Sequence, residues 1–176
     1  MTAGATPRHT ALPGAGLSRV AGSGSGAVLI LLGLWGALVP FIGPYFDFAY
    51  SPDSVWTFTW NRLILEILPG AAVFLGGALL ASPRPAPAKL TGAWLAVLGG
   101  IWFLIGPSFS RFWTPRPDTG TVPTANGQLM RGVQEIAFFY GVGAVSLLLA
   151  AVALGQLVFA LTAETGHSAA DGSGQH

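Results

Sequence analysis

Four long apolar runs, separated by polar linkers, dominate the chain. The first covers residues 20–46 without a charge and is densest over 27–43. The second, residues 63–81, is broken only by Glu66. The third, residues 90–110, and the fourth, residues 136–163, carry no charge, and Gln156 is the main polar side chain of the last. About 20 apolar residues in a helix cross the roughly 30 Å hydrocarbon layer, so each run predicts a transmembrane helix. A membrane β-barrel would instead show many alternating segments of about 10 residues, a pattern foreign to this chain. The first run exceeds the apolar core of a secretory leader, and no Ala-x-Ala site follows it cleanly. It therefore reads as a retained span.

Polar tails flank the runs. Residues 1–25 are rich in Gly, Ala, Ser and Pro, contain Arg8, His9 and Arg19, and have no acid. They and residues 164–176 read as disordered tails around a membrane domain of residues 26–163.

Composition removes the other classes. Hydrophobic residues make up 52% and charged residues 9% of 176 residues, and mean hydropathy is +0.61. A soluble domain is about 25% charged, so this chain could not cover a water-facing surface. The expectation is an all-α, multi-pass protein of the cytoplasmic membrane, with the lipid bilayer as its first partner. A net charge of +1 gives no basic field for nucleic acid. With no cysteine, disulfides, thiol catalysis and Cys-based zinc sites are excluded.

Loop charges bear on orientation. Arg8, Arg19, Arg84 and Lys89 lie in the tail and the short middle linker, against Arg62, Arg111, Arg116 and Arg131 in the two long linkers. The numbers tie. Arg62 and Arg131 are each followed one helical turn later by a Glu, whereas the first set has no nearby acids. The positive-inside rule then favours both termini cytoplasmic and both long loops outside.

The chain also repeats itself. Leu31, Gly33, Trp35 and Pro40 match Leu98, Gly100, Trp102 and Pro107 at a spacing of 67 residues. Arg62, Glu66 and Ile67 match Arg131, Glu135 and Ile136 at a spacing of 69. Gly-x-Trp-x4-Pro and Arg-x3-Glu-Ile thus each occur twice, in the same order. This predicts two helix hairpins, about 26–82 and 90–155, related by an axis along the membrane normal. Neither hairpin can bury its inner face alone, so the expected product is a pseudo-twofold four-helix bundle.

The segments around Gly33-Leu34-Trp35 and Gly100-Ile101-Trp102, with Pro40 and Pro107 closing them, resemble the SPW repeat. This is a two-helix unit of small bacterial membrane proteins, of the actinobacterial type in its Ala/Gly-rich style. Trp60-Asn61 stands where that family places a Trp-Asn pair before its second helix. The motif serine is replaced by Val39 and Gly106, and its tryptophan by Phe41 in one unit and Ser108-Phe109 in the other. The resemblance covers about residues 26–155. It implies the two-helix architecture and carries no settled activity.

Several motifs have both a structural and a chemical reading. Gly33/Ala37, Ala72/Gly76, Ala96/Gly100 and Ala151/Gly155 put small residues one turn apart, which suits close helix packing. Pro40 and Pro107 mark helix exits, since proline lacks the N–H that continues the ladder. Trp35 and Trp102 read as interface anchors or wedges between helices. The aromatic loop containing Tyr45, Phe46, Phe48, Tyr50, Trp56, Phe58 and Trp60 reads as an interfacial belt, with Phe112 and Trp113 in the other loop.

Arg62, Glu66, Arg131 and Glu135 are the candidate polar cluster. Four-residue spacing puts each Arg and Glu on one helical face, at the mouth of a span where an unpaired Glu is costly. They read as a clamp at the outer bundle end, or as an ion relay. Nucleophile-elbow, phosphate-loop and His-Glu-x-x-His patterns are missing from the sequence. His9, His167 and His176 all lie in the tails, so no metal or cofactor is expected within the bundle. The leading expectation is a non-enzymatic membrane protein, an accessory or envelope-associated subunit working as a homo-oligomer or with a membrane-protein partner. The alternative is a small carrier or channel protomer using the Arg/Glu cluster, with Gln156 as a further polar group.

Overall fold

The computed structural model describes the backbone of residues 14–50, 54–112 and 123–173. Arg8, His9, Trp113, Arg116 and His176 lie outside the described residues, as do the side chains of Arg19, Arg111 and His167. Among the described residues every regular element is helical, apart from one isolated antiparallel bridge, Tyr50 to Pro123. Four helices are long and apolar enough to cross a membrane.

The first helix, α1, is Gly14–Ile42. Helix α2 comprises Trp60–Arg62, a π-helical turn Leu63–Ile67, and Leu68–Ala81. Helix α3 is Ala86–Phe109. Helix α4 comprises Gln128–Glu135, a π-helical turn Ile136–Tyr140, and Gly141–Ser173. Helical backbone thus begins at Gly14 and ends at Ser173, reaching into both segments that the sequence marks as polar tails.

Pro40 and Pro107 each lie two residues before the end of their helix. In both cases a 3₁₀ turn follows, Gly43–Phe46 after α1 and Ser110–Phe112 after α3. Gly43 is required there, because an added Cβ would run into the Phe48 carbonyl oxygen, whose backbone N–H donates to Gly43 O.

Packing follows chain order: α1 on α2, α2 on α3, α3 on α4, with a lighter α1–α4 seam. The bodies of α2 and α4 stand diagonally. Small residues set the closest approaches. Gly33 of α1 abuts the Gly70 carbonyl and the Phe74 amide of α2. Gly100 of α3 abuts the Gly143 carbonyl and the Leu147 amide of α4. Gly76 meets Gly92 and Ala96 across α2 and α3. Ala151 and Gly155 differ, both facing outward from α4. Leu29, Val39, Leu65, Val73, Phe103 and Phe138 fill the centre.

The π turns leave a mark on the hydrogen-bond ladder. Where i→i+5 bonding returns to i→i+4, one carbonyl is passed over. Leu68 N–H reaches back to Leu63 O, and Gly141 N–H to Ile136 O. The carbonyls passed over are therefore those of Ile64 and Ala137. At Ile64 the gap is enforced by Pro69, which has no N–H to offer. Both carbonyls are taken by indoles from another helix. Trp102 Nε1 donates to Ile64 O at 2.8 Å, and Trp35 Nε1 donates to Ala137 O at 3.0 Å. The two tryptophans are thus wedges between helices that satisfy backbone acceptors which lipid could not.

Candidate functional site

The buried polar side chains gather at one end of the bundle. Asn61, Arg62, Glu66, Ser110 and Gln134 are buried there, and Ser146 is buried within α4. Thr59 starts α2 by accepting the Arg62 N–H on its hydroxyl at 3.2 Å. The β-region backbone of Thr59 fits it for this N-cap role. The turn that follows carries Arg62 and Glu66 inward. Gly127 starts α4 at φ 96°, a conformation that favours glycine.

The arginines hold loops. Arg62 Nη1 donates to Thr57 O at 2.6 Å and Nη2 to Tyr50 O at 3.3 Å. Arg131, which is exposed, donates from Nε to Ala125 O at 3.0 Å. Gln134, fully buried, joins the two long loops. Its Nε2 donates to Asp47 O at 3.4 Å, and its Oε1 accepts from Ala125 N–H at 3.2 Å. Thr124 adds two donors to Ala49 O, its backbone N–H at 3.0 Å and its hydroxyl at 2.8 Å. The loops are thereby laced into a cap over the bundle end.

The carboxylates are placed differently. Glu66 is 1% exposed, and neither carboxylate oxygen has a hydrogen-bond partner. Glu135 is exposed and lines a cavity of about 160 Å³ together with Tyr50, Ser110 and Tyr140. Of the four cluster residues, then, Arg62 and Glu66 are buried while Arg131 and Glu135 reach the surface. Gln156 faces outward on α4, away from this end.

Tyr50 joins the picture from the loop. It is 2% exposed and packs against Phe138 and Phe139 at centroid distances of 4.7 and 5.3 Å. Burial is the main reason its phenol is held well above the usual tyrosine range, and the charges of Glu135 and Glu66 push the same way. Both carboxylates therefore act on one phenol. Tyr50 departs from the interfacial-belt expectation because the loop-to-loop bridge folds it under the cap. Its neighbours Tyr45, Phe46, Trp56, Phe58 and Trp60 do face outward. Gln134 was overshadowed in the sequence by Glu135 beside it. An amide in the polar turn ahead of a 28-residue uncharged run was the available signal.

Among the described residues no group of three or more metal-ligating side chains occurs. No protein-family model matches the chain, and no curated protein or solved structure matches it.

Proposed function

We propose that the protein is a non-enzymatic scaffold subunit of the cytoplasmic membrane, with both termini inside and a rigid loop cap outside. The cap is the observation that carries this reading. Arg62, Arg131 and Gln134, three long polar side chains of this end, are engaged in holding loop backbone. Ser146 is the only buried polar side chain among the described residues that lies deeper in a span, so a continuous hydrophilic path through one protomer has little to line it.

A tandem duplication of an SPW-type hairpin is the architecture we attach to this function. The reciprocal indole bonds support it, since each unit sends its tryptophan into the π turn of the other. The glycine contacts support it too. Gly33 meets Gly70 as Gly100 meets Gly143, a spacing of 67 residues on the first helices and 73 on the second. Ile64 and Ala137 are also 73 apart. The sequence match at 69 is one helical turn short of this. On the 73 spacing the buried amides Asn61 and Gln134 correspond, and Glu135 corresponds to Arg62.

Flux measurements test the function. The full chain in liposomes should give proton and cation leaks equal to those of protein-free vesicles. A saturable flux that Glu66→Gln abolishes would replace the scaffold with the carrier reading, which a buried Glu66 carboxyl without a hydrogen bond favours.

A further inference from the structure

A small polar chamber lies beneath the cap. Its walls include Tyr50 from the first long loop, Ser108 and Ser110 at the end of α3, and Glu135, Phe139 and Tyr140 from α4. Three aromatic rings and a carboxylate thus meet two hydroxyls around about 160 Å³. At roughly 30 Å³ per water in the liquid, that is room for a few waters or one small ion. Among the described residues no Lys or Arg lines the chamber. Arg62 donates to Thr57 O and to the Tyr50 carbonyl, and Arg131 to Ala125 O.

We propose that this chamber binds a small organic ammonium ion, with Glu135 as the counter-charge and Tyr50, Phe139 and Tyr140 as aromatic walls. An ammonium group carries the charge that the Glu135 carboxylate in the chamber wall selects. Its methyl substituents suit aromatic faces, which attract cations within about 6 Å of the ring centre. A bare alkali ion would instead need several oxygen ligands, and Ser110 already donates its hydroxyl to Pro107 O at 2.7 Å. Glu135, being exposed, gives the ligand a route from the loop side without crossing the bundle.

Calorimetry on the full chain in nanodiscs tests this, with methylammonium chloride as the probe and sodium chloride holding ionic strength constant. Saturable binding is expected. Glu135→Gln should weaken it at least tenfold, and Tyr140→Leu severalfold. Both side chains are partly or fully exposed, so both variants should fold, as circular dichroism would check. Lys89→Gln, in the first turn of α3, should leave binding unchanged. Absence of saturable heat into the millimolar range would overturn the proposal, as would binding that Glu135→Gln does not alter. Equal displacement by sodium would overturn the organic ligand class. Binding is read here without any flux, so the result stands apart from the test of the scaffold reading.

Discussion

The indole of Trp102 supplies the hydrogen-bond donor that Pro69 withholds from Ile64 O. A helix interior ordinarily satisfies its own carbonyls. Here a residue 38 positions away does so, and Trp35 does the same for Ala137.

This relationship predicts a coupling. Trp102→Phe should lower stability by about 1 kcal/mol, the usual net value of one hydrogen bond. Pro69→Ala provides an N–H that can reach back to Ile64 O. In a thermal double-mutant cycle, the loss from Trp102→Phe should therefore shrink in the Pro69→Ala background. Simple additivity would show that the indole does not serve that carbonyl.

The two arginines should differ. Arg62→Met removes charge-assisted bonds to two loop carbonyls in a buried site and should cost roughly 1.5–3 kcal/mol. Arg131→Met removes an exposed contact and should cost under about 1 kcal/mol. Glu66→Met leaves the buried Arg62 guanidinium without its nearby acid and should destabilise, a loss that adding Arg62→Met should largely recover. Chemical denaturation in detergent measures each of these. Losses from Glu66→Met and Arg62→Met that simply add would show that Arg62 does not depend on Glu66.

Glycine substitutions should sort by contact. Gly33→Ala and Gly100→Ala push a methyl against the backbone of the neighbouring helix and should each destabilise by about 1–3 kcal/mol. Gly132→Ala and Gly155→Ala meet open space and should be neutral or stabilise by up to about 1 kcal/mol. Melting temperatures in one detergent would rank the four.

The raised Tyr50 phenol has a pH signature. Its proton is held more tightly folded than unfolded, so the unfolded chain releases it first as pH rises through the ordinary tyrosine value of about 10. Stability from this group is complete below that pH and declines above it. Tyr50→Phe should flatten the alkaline decline measured by denaturation at stepped pH. An unchanged profile would place the phenol in water.

Orientation is open to labelling. With both termini inside, an impermeant thiol reagent on intact cells should modify Asn126→Cys and spare Ser82→Cys. The reverse pattern would invert the topology.

Span number and helix class were legible in the sequence, because hydropathy is a property of neighbours along the chain and bilayer thickness sets the length they need. The glycines and tryptophans that bring helices together were also visible as repeated motifs. Their partners were not. Arg62 and Glu66 share a helical face in any reading, yet only the folded loops decide that the guanidinium binds Thr57 O and Tyr50 O. The 69-residue match between the second helices fell one turn from the 73-residue spacing of their glycine contacts. A shift of four residues keeps the same helical face, so pattern alone cannot separate the two. Tyr50 and Gln134 became interior residues only when the two loops bridged over the bundle. Burial of that kind depends on contacts between distant segments, and local periodicity carries no record of them.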